Sequence, residues 1–347
     1  MILRRAPITV LLVLMLTAAA CTSDDPTVLE SGELLRGVNL SGAEFGFENL
    51  PGEFGVDYIY PSTADVEYFT GLGASVIRLP FRWERLQLEP GGALDPVELA
   101  RLDAAVDAIT GNGAAVIVDP HNFARYDGAV VGGDDLAVDA LSDLWARLAL
   151  RYRDNELVIL GLMNEPFEMS SEVWVDQANR SIAAIRETGA DNLILVPGNE
   201  YSGAHAWDED FYGTPNSEAM LAIVDPGDNF AIEVHQYLDG DSSGGAPECV
   251  SSTVGSERLE DFNDWLGDHD LRGFLGEFAG GESDVCSQAL TDMLRFVEAN
   301  DDRWLGWTYW GAGPWWGDYI FEIQPDASGA IDDPQMVVLA QFFAEPS

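Results

Sequence analysis

From residue 35 onward, short apolar runs alternate with longer segments that have the periodicity of amphipathic helices. The run from Leu157 to Met163 is typical, because it is too short and too uniformly apolar for such a helix and predicts a fully buried strand. Runs of this kind separated by helices indicate βα units and a parallel sheet. The predicted strands cover residues 35–40, 75–79, 114–118, 157–163, 192–196, 230–234, 273–276 and 304–309.

The segments between these runs carry the start and stop signals of helices. Between Asp95, a typical N-cap residue, and Gly111, a typical stop, apolar residues recur at helical spacing. The predicted helices cover residues 63–72, 96–110, 135–152, 171–188, 256–266, 288–300 and 334–343. Eight strands with helices between most of them predict a single (β/α)8 TIM barrel. An open sheet of six to eight strands is the alternative, but the Rossmann phosphate fingerprint is absent.

The N-terminus has the pattern of an export signal over residues 1–20. Arg4 and Arg5 give a positive start, an apolar core follows, and small residues lead into Cys21. This order resembles a bacterial lipobox and predicts lipidation of Cys21, with an ordinary cleaved signal as the alternative. We expect a tether over residues 21–32 and one domain over residues 33–347. The predicted location is outside the cytoplasm, as a cell-surface or periplasmic lipoprotein or as a secreted protein.

The charge balance excludes several classes of partner. There are 60 acidic and 17 basic residues, a net charge of −43, and every basic residue is Arg. Such a chain repels nucleic acid and anionic membrane surfaces, so membrane contact is expected only through a lipid at Cys21. A neutral ligand and a monomeric state are predicted. The lack of Lys also resembles proteins from saline habitats, although GC-rich coding would have the same effect.

Besides Cys21, the sequence contains Cys249 and Cys286. In an exported protein two such cysteines form a disulfide or stay as two separate buried thiols, and their spacing does not fit a zinc site.

Polar and aromatic residues follow the predicted strands one after another. In a parallel barrel the C-terminal ends of the strands meet at one face, which is where active sites lie. We therefore expect these side chains to line a common site. In chain order they are Arg78, Trp83, Asp119, His121, Asn122, Asn164, Glu165, Asn199, Glu200, Tyr201, His235, Tyr237, Glu277 and Trp310.

Two of these residues are glutamates that end strands of similar design. Glu165 ends the fourth run, and Pro166 is expected to keep it extended. Taken alone, this segment could also be the acidic first turn of a helix. Glu277 ends the seventh run in the same way. Two carboxylates across a barrel mouth match the needs of glycoside hydrolysis, in which one group protonates the leaving oxygen and the other attacks the anomeric carbon.

Several neighbours suit supporting roles in that reaction. Arg78 and Tyr237 could hold a nucleophilic carboxylate in its ionised form, and Asn164 could donate to a sugar 2-hydroxyl. Candidate sugar-binding residues are Asn122, Trp83, Trp207, Trp310, Trp315 and Trp316. A single Trp more often belongs to the core, but Trp310 is an exception because it follows the eighth predicted strand.

Other kinds of site fit the sequence less well. His121, His235 and Glu277 could form a metal site, but the H-x-H and H-E-x-x-H spacings are absent. We expect no metal and no cofactor. We do not expect a serine nucleophile.

Five motifs occur in the order found in glycoside hydrolase family 5, and the chain resembles the endoglucanases of that family. They are Ile77–Pro80, Asp119–Asn122, Met163–Pro166, Val234–Asp239 and Gly276–Glu277. The resemblance implies that Glu165 is the acid/base and that Glu277 is the nucleophile. Arg78, His121, Asn164, His235, Tyr237 and Trp310 match supporting positions. The resemblance also implies that Cys249 and Cys286 form a disulfide.

The implied activity is that of a retaining endo-β-1,4-glucanase, which acts on cellulose or related β-glucans by double displacement. For that mechanism the two carboxyl groups should lie about 5–5.5 Å apart. The alternatives are the same chemistry on mannan, xyloglucan, xylan or mixed-linkage glucan, and a catalytically dead glycan-binding lipoprotein. The sequence departs from the family pattern at Phe167, where His is frequent, and at Phe278 and Ala279, where Thr-Gly is frequent.

Overall fold

The computed structural model describes residues 28–29, 32–325 and 333–344. Its centre is a closed barrel of eight parallel strands, each paired with its neighbours in the chain, with the last strand closing on the first. The strands are β1 Leu35–Leu40, β2 Val76–Phe81, β3 Ala115–Pro120, β4 Val158–Gly161, β5 Ile194–Pro197, β6 Phe230–His235, β7 Gly273–Glu277 and β8 Trp304–Ala312. The prediction of a TIM barrel is confirmed, and closure rules out the open sheet.

Helices cover the outside of the barrel, and their ends follow the sequence signals. The Asp95 side chain caps the second long helix by accepting from the N–H groups of Val97 and Glu98. Ser62 and Asp65 form a capping box at the first. The long helices are Thr63–Gly71, Pro96–Gly111, Ala140–Tyr152, Ser171–Glu187, Val254–His269, Asp284–Ala299 and Pro334–Phe343, with short ones at Trp83–Leu86 and Asn216–Ala219.

The barrel interior changes from apolar to polar along the strands. Side chains alternate between the two faces of a strand, so Val76 and Arg78 of β2 share one face, as do Ala231, Glu233 and His235 of β6. At the lower level, Val76 and Ala231 belong to a buried apolar cluster that is separate from the core beneath the helices. The polar residues therefore lie above an apolar floor, towards the C-terminal ends of the strands.

A disulfide joins Cys249 to Cys286, which confirms that prediction. It ties the loop after β6 to the first turn of the helix Asp284–Ala299. The predicted export signal and Cys21 lie outside the described residues, as does most of the predicted tether. Within the described ranges, no helix combines the length and apolarity needed to cross a membrane.

Candidate active site

Arg78 lies at the centre of the polar layer, and its side chain is fully buried. Its guanidinium lies 2.8 Å from Glu277 Oε1, 3.1 Å from Asp119 Oδ2 and 3.0 Å from Glu233 Oε1. Burial alone would lower the pKa of Arg78, but these three carboxylates outweigh it and raise the pKa above its ordinary value. The permanently charged guanidinium is thus the common counter-ion of three buried acids.

Glu277, at the end of β7, is held at both carboxylate oxygens. Arg78 donates to Oε1 at 2.8 Å, and the Tyr237 hydroxyl donates to Oε2 at 2.8 Å. Burial, together with the charge of Glu277, raises the pKa of Tyr237 well above its usual range, so the hydroxyl keeps its proton. The two donors fix the orientation of the Glu277 carboxylate.

Glu165 follows β4 and lies opposite Glu277. His235 connects the two, because its Nδ1 is 2.7 Å from Glu165 Oε1 and 3.7 Å from Glu277 Oε2. Burial would lower the pKa of His235, but Glu277, Glu165 and Glu233 outweigh it and raise the pKa to about 10. The imidazole is therefore a second cation among the carboxylates at neutral pH. One ligand atom from each of Glu165, His235 and Glu277 lies within 4.8 Å of the others.

These three residues could in principle hold a metal ion, whereas the sequence suggested His121 in place of Glu165. A cation bound there would compete with contacts that are already made. His235 Nδ1 is engaged by Glu165, and both oxygens of Glu277 accept hydrogen bonds from Arg78 and Tyr237. The donor set is thus satisfied by protein groups.

Asp119 and His121 form a buried pair after β3. Burial raises the pKa of Asp119 to about 7 against the opposing effect of Arg78, and burial lowers the pKa of His121 to about 3. The neutral ring of His121 stacks on Trp310, with ring centroids 5.3 Å apart. Its Nδ1 lies 3.0 Å from Asp119 Oδ2. The pair therefore braces Trp310 against the end of β3.

Backbone strain is concentrated beside the carboxylates. Glu165 has φ +42°, in the left-handed region that favours glycine, so the expectation that Pro166 keeps it extended is wrong. Glu200, Tyr201 and Ser202 also have positive φ values, of +56°, +55° and +54°. Contacts from the fold hold this segment, since Tyr201 N–H donates to Pro166 O at 3.1 Å. Strain of this kind is typical of functional sites and costs about 1–3 kcal/mol per residue.

A cavity of about 530 Å³ adjoins the carboxylate pair. Two of its wall residues are strongly exposed aromatics, Tyr201 at 43% and Phe211 at 60%. Phe167 stacks on Tyr201 with a centroid distance of 4.6 Å, and the Arg125 guanidinium lies 3.9 Å from the Phe167 centroid. The departure at Phe167 therefore supplies an apolar ring that supports Tyr201.

The second departure from the family pattern lies inside the core. Phe278 and Ala279 are completely buried. Phe278 packs edge-on against Trp307 and Tyr309, with centroid distances of 5.8 and 5.4 Å. The two residues following Glu277 thus contribute packing beneath the site and leave its polar groups unchanged.

Three predicted sugar contacts are wrong because the side chains are buried. Trp83 is 0% exposed and donates from Nε1 to Gln87, and Trp207 is 2% exposed and packs among other aromatic rings. A ring without an exposed face cannot stack on a sugar. Asn122 is also buried, and its amide is used by the Trp83 N–H and by Glu84. These residues shape the wall of the barrel.

Trp310 lies near the C-terminal end of β8 and is 8% exposed, and Trp316 follows that strand. Their rings meet edge to face at 5.6 Å, and Trp316 also stacks on Tyr319 at 4.3 Å. Trp316 is partly buried, while the neighbouring Trp315 is 48% exposed. Their contact with sugar stays a prediction.

Two polar residues of the site were not predicted. Glu233 contacts the Arg78 Nε, and Asn39 accepts from Arg78 Nη1 at 3.0 Å. The sequence does carry a signal for both residues, because each is a polar residue inside an otherwise apolar predicted strand. Glu233 also precedes His235 by two positions, which places both side chains on the same face.

The cellulase family profile, glycosyl hydrolase family 5, matches residues 38–313. The chain belongs to glycosyl hydrolase family 5. A curated relative of this family 5 enzyme, endo-beta-1,4-glucanase B of Aspergillus niger, is 40% identical over 290 residues, which is 83% of this chain and 84% of the relative. The predicted family is thereby confirmed.

Solved structures of similar proteins agree with the barrel. Endo-beta-1,4-glucanase Xac0029 from Xanthomonas axonopodis pv. citri is 46% identical with a TM-score of 0.88, covering 90% of this chain and 98% of that chain. XacCel5A in complex with cellopentaose is 48% identical with a TM-score of 0.88, covering 90% and 99% respectively.

Proposed function

We propose that this protein is a retaining endo-β-1,4-glucanase, with Glu277 as nucleophile and Glu165 as acid/base. The observation that carries the mechanism is the short separation of the two carboxylates, of which one oxygen each lies within 4.8 Å. Retaining glycosidases have carboxyl groups about 5–5.5 Å apart, whereas inverting enzymes leave about 6.5–9.5 Å for a water molecule. The site has no such room, so direct attack by Glu277 on the anomeric carbon is favoured.

The first chemical step requires an ionised Glu277 and a protonated Glu165. Arg78 and Tyr237 each donate a hydrogen bond to Glu277 and hold its carboxylate in one orientation. Glu165 gives its proton to the oxygen of the leaving sugar as the bond to the anomeric carbon breaks. Glu277 forms a glycosyl ester on the opposite face of the sugar.

The charges around the site support the change of role that Glu165 must make. The cations Arg78 and His235 lie among the carboxyl groups of Asp119, Glu233 and Glu277. Ester formation removes the negative charge of Glu277, while both cations stay in place to stabilise a carboxylate at Glu165. His235, only 2.7 Å away, stabilises that carboxylate. Glu165 can therefore take a proton from the water that hydrolyses the ester.

Asn164 is suited to contact the 2-hydroxyl of the sugar that reacts. Its Oδ1 accepts from Arg78 Nη2 at 2.8 Å, which fixes the orientation of the amide. Its Nδ2 is buried and has no hydrogen-bond partner among the described residues. An unused donor beside the nucleophile is available for a substrate hydroxyl, a contact that strengthens in the transition state of glycoside hydrolysis.

The similar proteins and the shape of the site support a β-1,4-glucan as substrate. The relatives are named as endo-beta-1,4-glucanases, and one similar structure is a complex with cellopentaose. Because Glu165 is in its wall, the cavity with Tyr201 and Phe211 lies where the leaving part of the chain would bind. A neutral polysaccharide also suits a protein with a net charge of −43.

The activity is tested with carboxymethyl-cellulose, lichenan, glucomannan and xylan, with Glu277→Ala as the inactive control. We expect the fastest turnover on carboxymethyl-cellulose. Viscosity should fall well before reducing ends accumulate, since internal bonds are cut. Faster turnover on lichenan, glucomannan or xylan would overturn the substrate assignment, and binding without turnover would support the dead-site alternative.

We also propose that the protein is exported as a monomer and anchored through a lipid at Cys21. The support is the arrangement of Arg4, Arg5, the apolar segment and the small residues before Cys21. A clickable palmitate analogue should label the wild-type protein and fail to label Cys21→Ser. Equal labelling of both, or of neither, would contradict the anchor.

A further inference from the structure

The loop after β6 makes a compact turn around one buried carboxylate, that of Asp239, which is 3% exposed. Asp239 Oδ1 accepts from Gly244 N–H at 3.1 Å, while Oδ2 accepts from Gly245 N–H at 3.0 Å and from Ala246 N–H at 3.2 Å. Backbone donors that converge on one anion fix the path of a loop. The charge of Asp239 thus determines where Gly244 lies.

Gly244 in turn is packed directly against the ring of Tyr237. It has φ +71°, and a Cβ added there would lie 2.7 Å from Tyr237 Cδ1. Phe321 also stacks on Tyr237, with centroids 6.1 Å apart and an interplanar angle of 23°. The Tyr237 ring is therefore confined by the turn and by Phe321, and its hydroxyl is directed at Glu277 Oε2.

The far end of this loop is fixed as well. Cys249 is bonded to Cys286 in the first turn of a long helix, and Val250 N–H donates to Leu238 O at 3.0 Å. Both ends of the loop that contains residues 243–246 are therefore fixed. Within this loop, the position of Gly244 depends on its hydrogen bond to Asp239.

We propose that Asp239 is a positioning residue for the nucleophile, acting through Gly244 and the ring of Tyr237 on Glu277. The inference rests on the proposed role of Glu277. Asp239 touches neither carboxylate of the catalytic pair, and its effect is transmitted by packing. An Asn at this position has one carbonyl oxygen, and its NH₂ group would face the backbone donors, so the turn would relax away from Tyr237.

The charged and titratable groups around this path must be considered in any pH profile. Glu277 faces Arg78, His121, Glu165, His235, Tyr237 and Tyr319, while Asp239 faces Asp241, His205, Arg258 and Tyr319. Asp239→Asn leaves the other groups in place but removes one negative charge, which by itself would move the acid limb of kcat/KM to lower pH. A shift to higher pH would therefore report the loss of the Tyr237 hydrogen bond to Glu277.

A double-mutant cycle with Tyr237→Phe tests the proposal on a chromogenic aryl β-cellotrioside. A hydrogen bond to a charged group is worth about 1.5–3 kcal/mol, so Tyr237→Phe should lower kcat/KM by about 10- to 150-fold. Asp239→Asn should lower it by about tenfold, with KM little changed and the acid limb at higher pH. In the Tyr237→Phe background, Asp239→Asn should have almost no further effect.

A second pair of variants tests the packing contact without removing a charge. Gly244→Ala should reproduce the kinetic loss, because its methyl group would displace the Tyr237 ring. Gly189→Ala is the matched control, because Gly189 also has a positive φ, of +82°, and an added Cβ there would meet no atom within 4 Å. Asp225→Asn removes another carboxylate that binds loop N–H groups, those of Gly227 and Asn229, and should lower stability without moving the pH profile.

Equal losses from Asp239→Asn in the Tyr237 and Tyr237→Phe backgrounds would overturn the proposal, as would unchanged kinetics in Asp239→Asn or Gly244→Ala. Wild-type protein without turnover would instead refute the role of Glu277. The unfolding midpoint of each variant is measured as well. A variant that loses activity but keeps the wild-type midpoint has lost positioning and has kept its fold.

Discussion

Replacing Arg78 by Met keeps most of the apolar stem and removes the guanidinium. That group is fully buried and lies within 3.1 Å of oxygens of Asp119, Glu233 and Glu277. Removing one partner of a buried ion pair costs about 3–5 kcal/mol, because the other charge stays desolvated. Because three acids lose their shared cation here, we expect the free energy of unfolding to fall by about 5 kcal/mol, the upper end of that range. A domain is stabilised by only about 5–15 kcal/mol in total.

The loss should depend on pH in a defined direction. Burial already raises the pKa of Asp119 to about 7 with Arg78 in place, and removal of Arg78 raises it further. A carboxyl group with a raised folded-state pKa favours the folded state fully below its unfolded value near 4, and this stability is lost as the pH rises through the folded-state pKa. The difference between wild type and Arg78→Met should therefore be small at pH 4 and largest at pH 8.

Guanidinium chloride unfolding followed by circular dichroism at pH 4, 6 and 8 measures this difference. The control is Arg151→Met, which breaks an exposed pair with Asp103 and should cost less than about 1 kcal/mol at every pH. A deficit for Arg78→Met below about 2 kcal/mol at pH 8, or one that does not change between pH 4 and pH 8, would refute the reasoning about buried charge.

Four further variants give separable results. Glu165→Ala should lower hydrolysis of carboxymethyl-cellulose by about 10²- to 10⁴-fold. It should spare the first step on an aryl cellobioside with an acidic phenol, because that leaving group needs no proton, and equal loss on both would contradict the role. The double variant Cys249→Ser/Cys286→Ser removes a disulfide between residues 37 positions apart. Its free energy of unfolding, measured with denaturant, should be about 4 kcal/mol lower than that of the wild type, and a decrease below about 1 kcal/mol would contradict this. Trp310→Ala should raise KM on cello-oligosaccharides, whereas Trp83→Ala should cost about 3–5 kcal/mol of stability. A raised KM in Trp83→Ala, or an unchanged KM in Trp310→Ala, would contradict these roles.

The periodicity of the chain predicted the barrel because the signals are local. Apolar runs, cap residues and breakers report on their own segment, and parallel strands joined by helices have few ways to close. The same logic identified Glu165 and Glu277, since residues that end parallel strands meet at one face whatever the details of packing. The disulfide between Cys249 and Cys286 followed from the compartment and the family resemblance.

What the sequence could not predict depends on contacts between distant segments. Trp83 and Trp310 both lie at the ends of predicted strands, yet tertiary packing leaves one indole with no exposed surface and the other with 8%. The left-handed backbone of Glu165 opposes the local preference set by Pro166 and is stabilised by the surrounding fold. The shared use of Arg78 by three acids is likewise visible only once the strands are closed into a barrel.

The central claim is that the two carboxylates, with oxygens within 4.8 Å, act by double displacement. It is tested most directly by ¹H NMR of a cello-oligosaccharide during the first minutes of hydrolysis, before the new reducing end mutarotates. The account predicts that the β-anomer appears first, because two inversions at the anomeric carbon retain its configuration. Initial release of the α-anomer would show a single displacement and would contradict the roles assigned to Glu165 and Glu277.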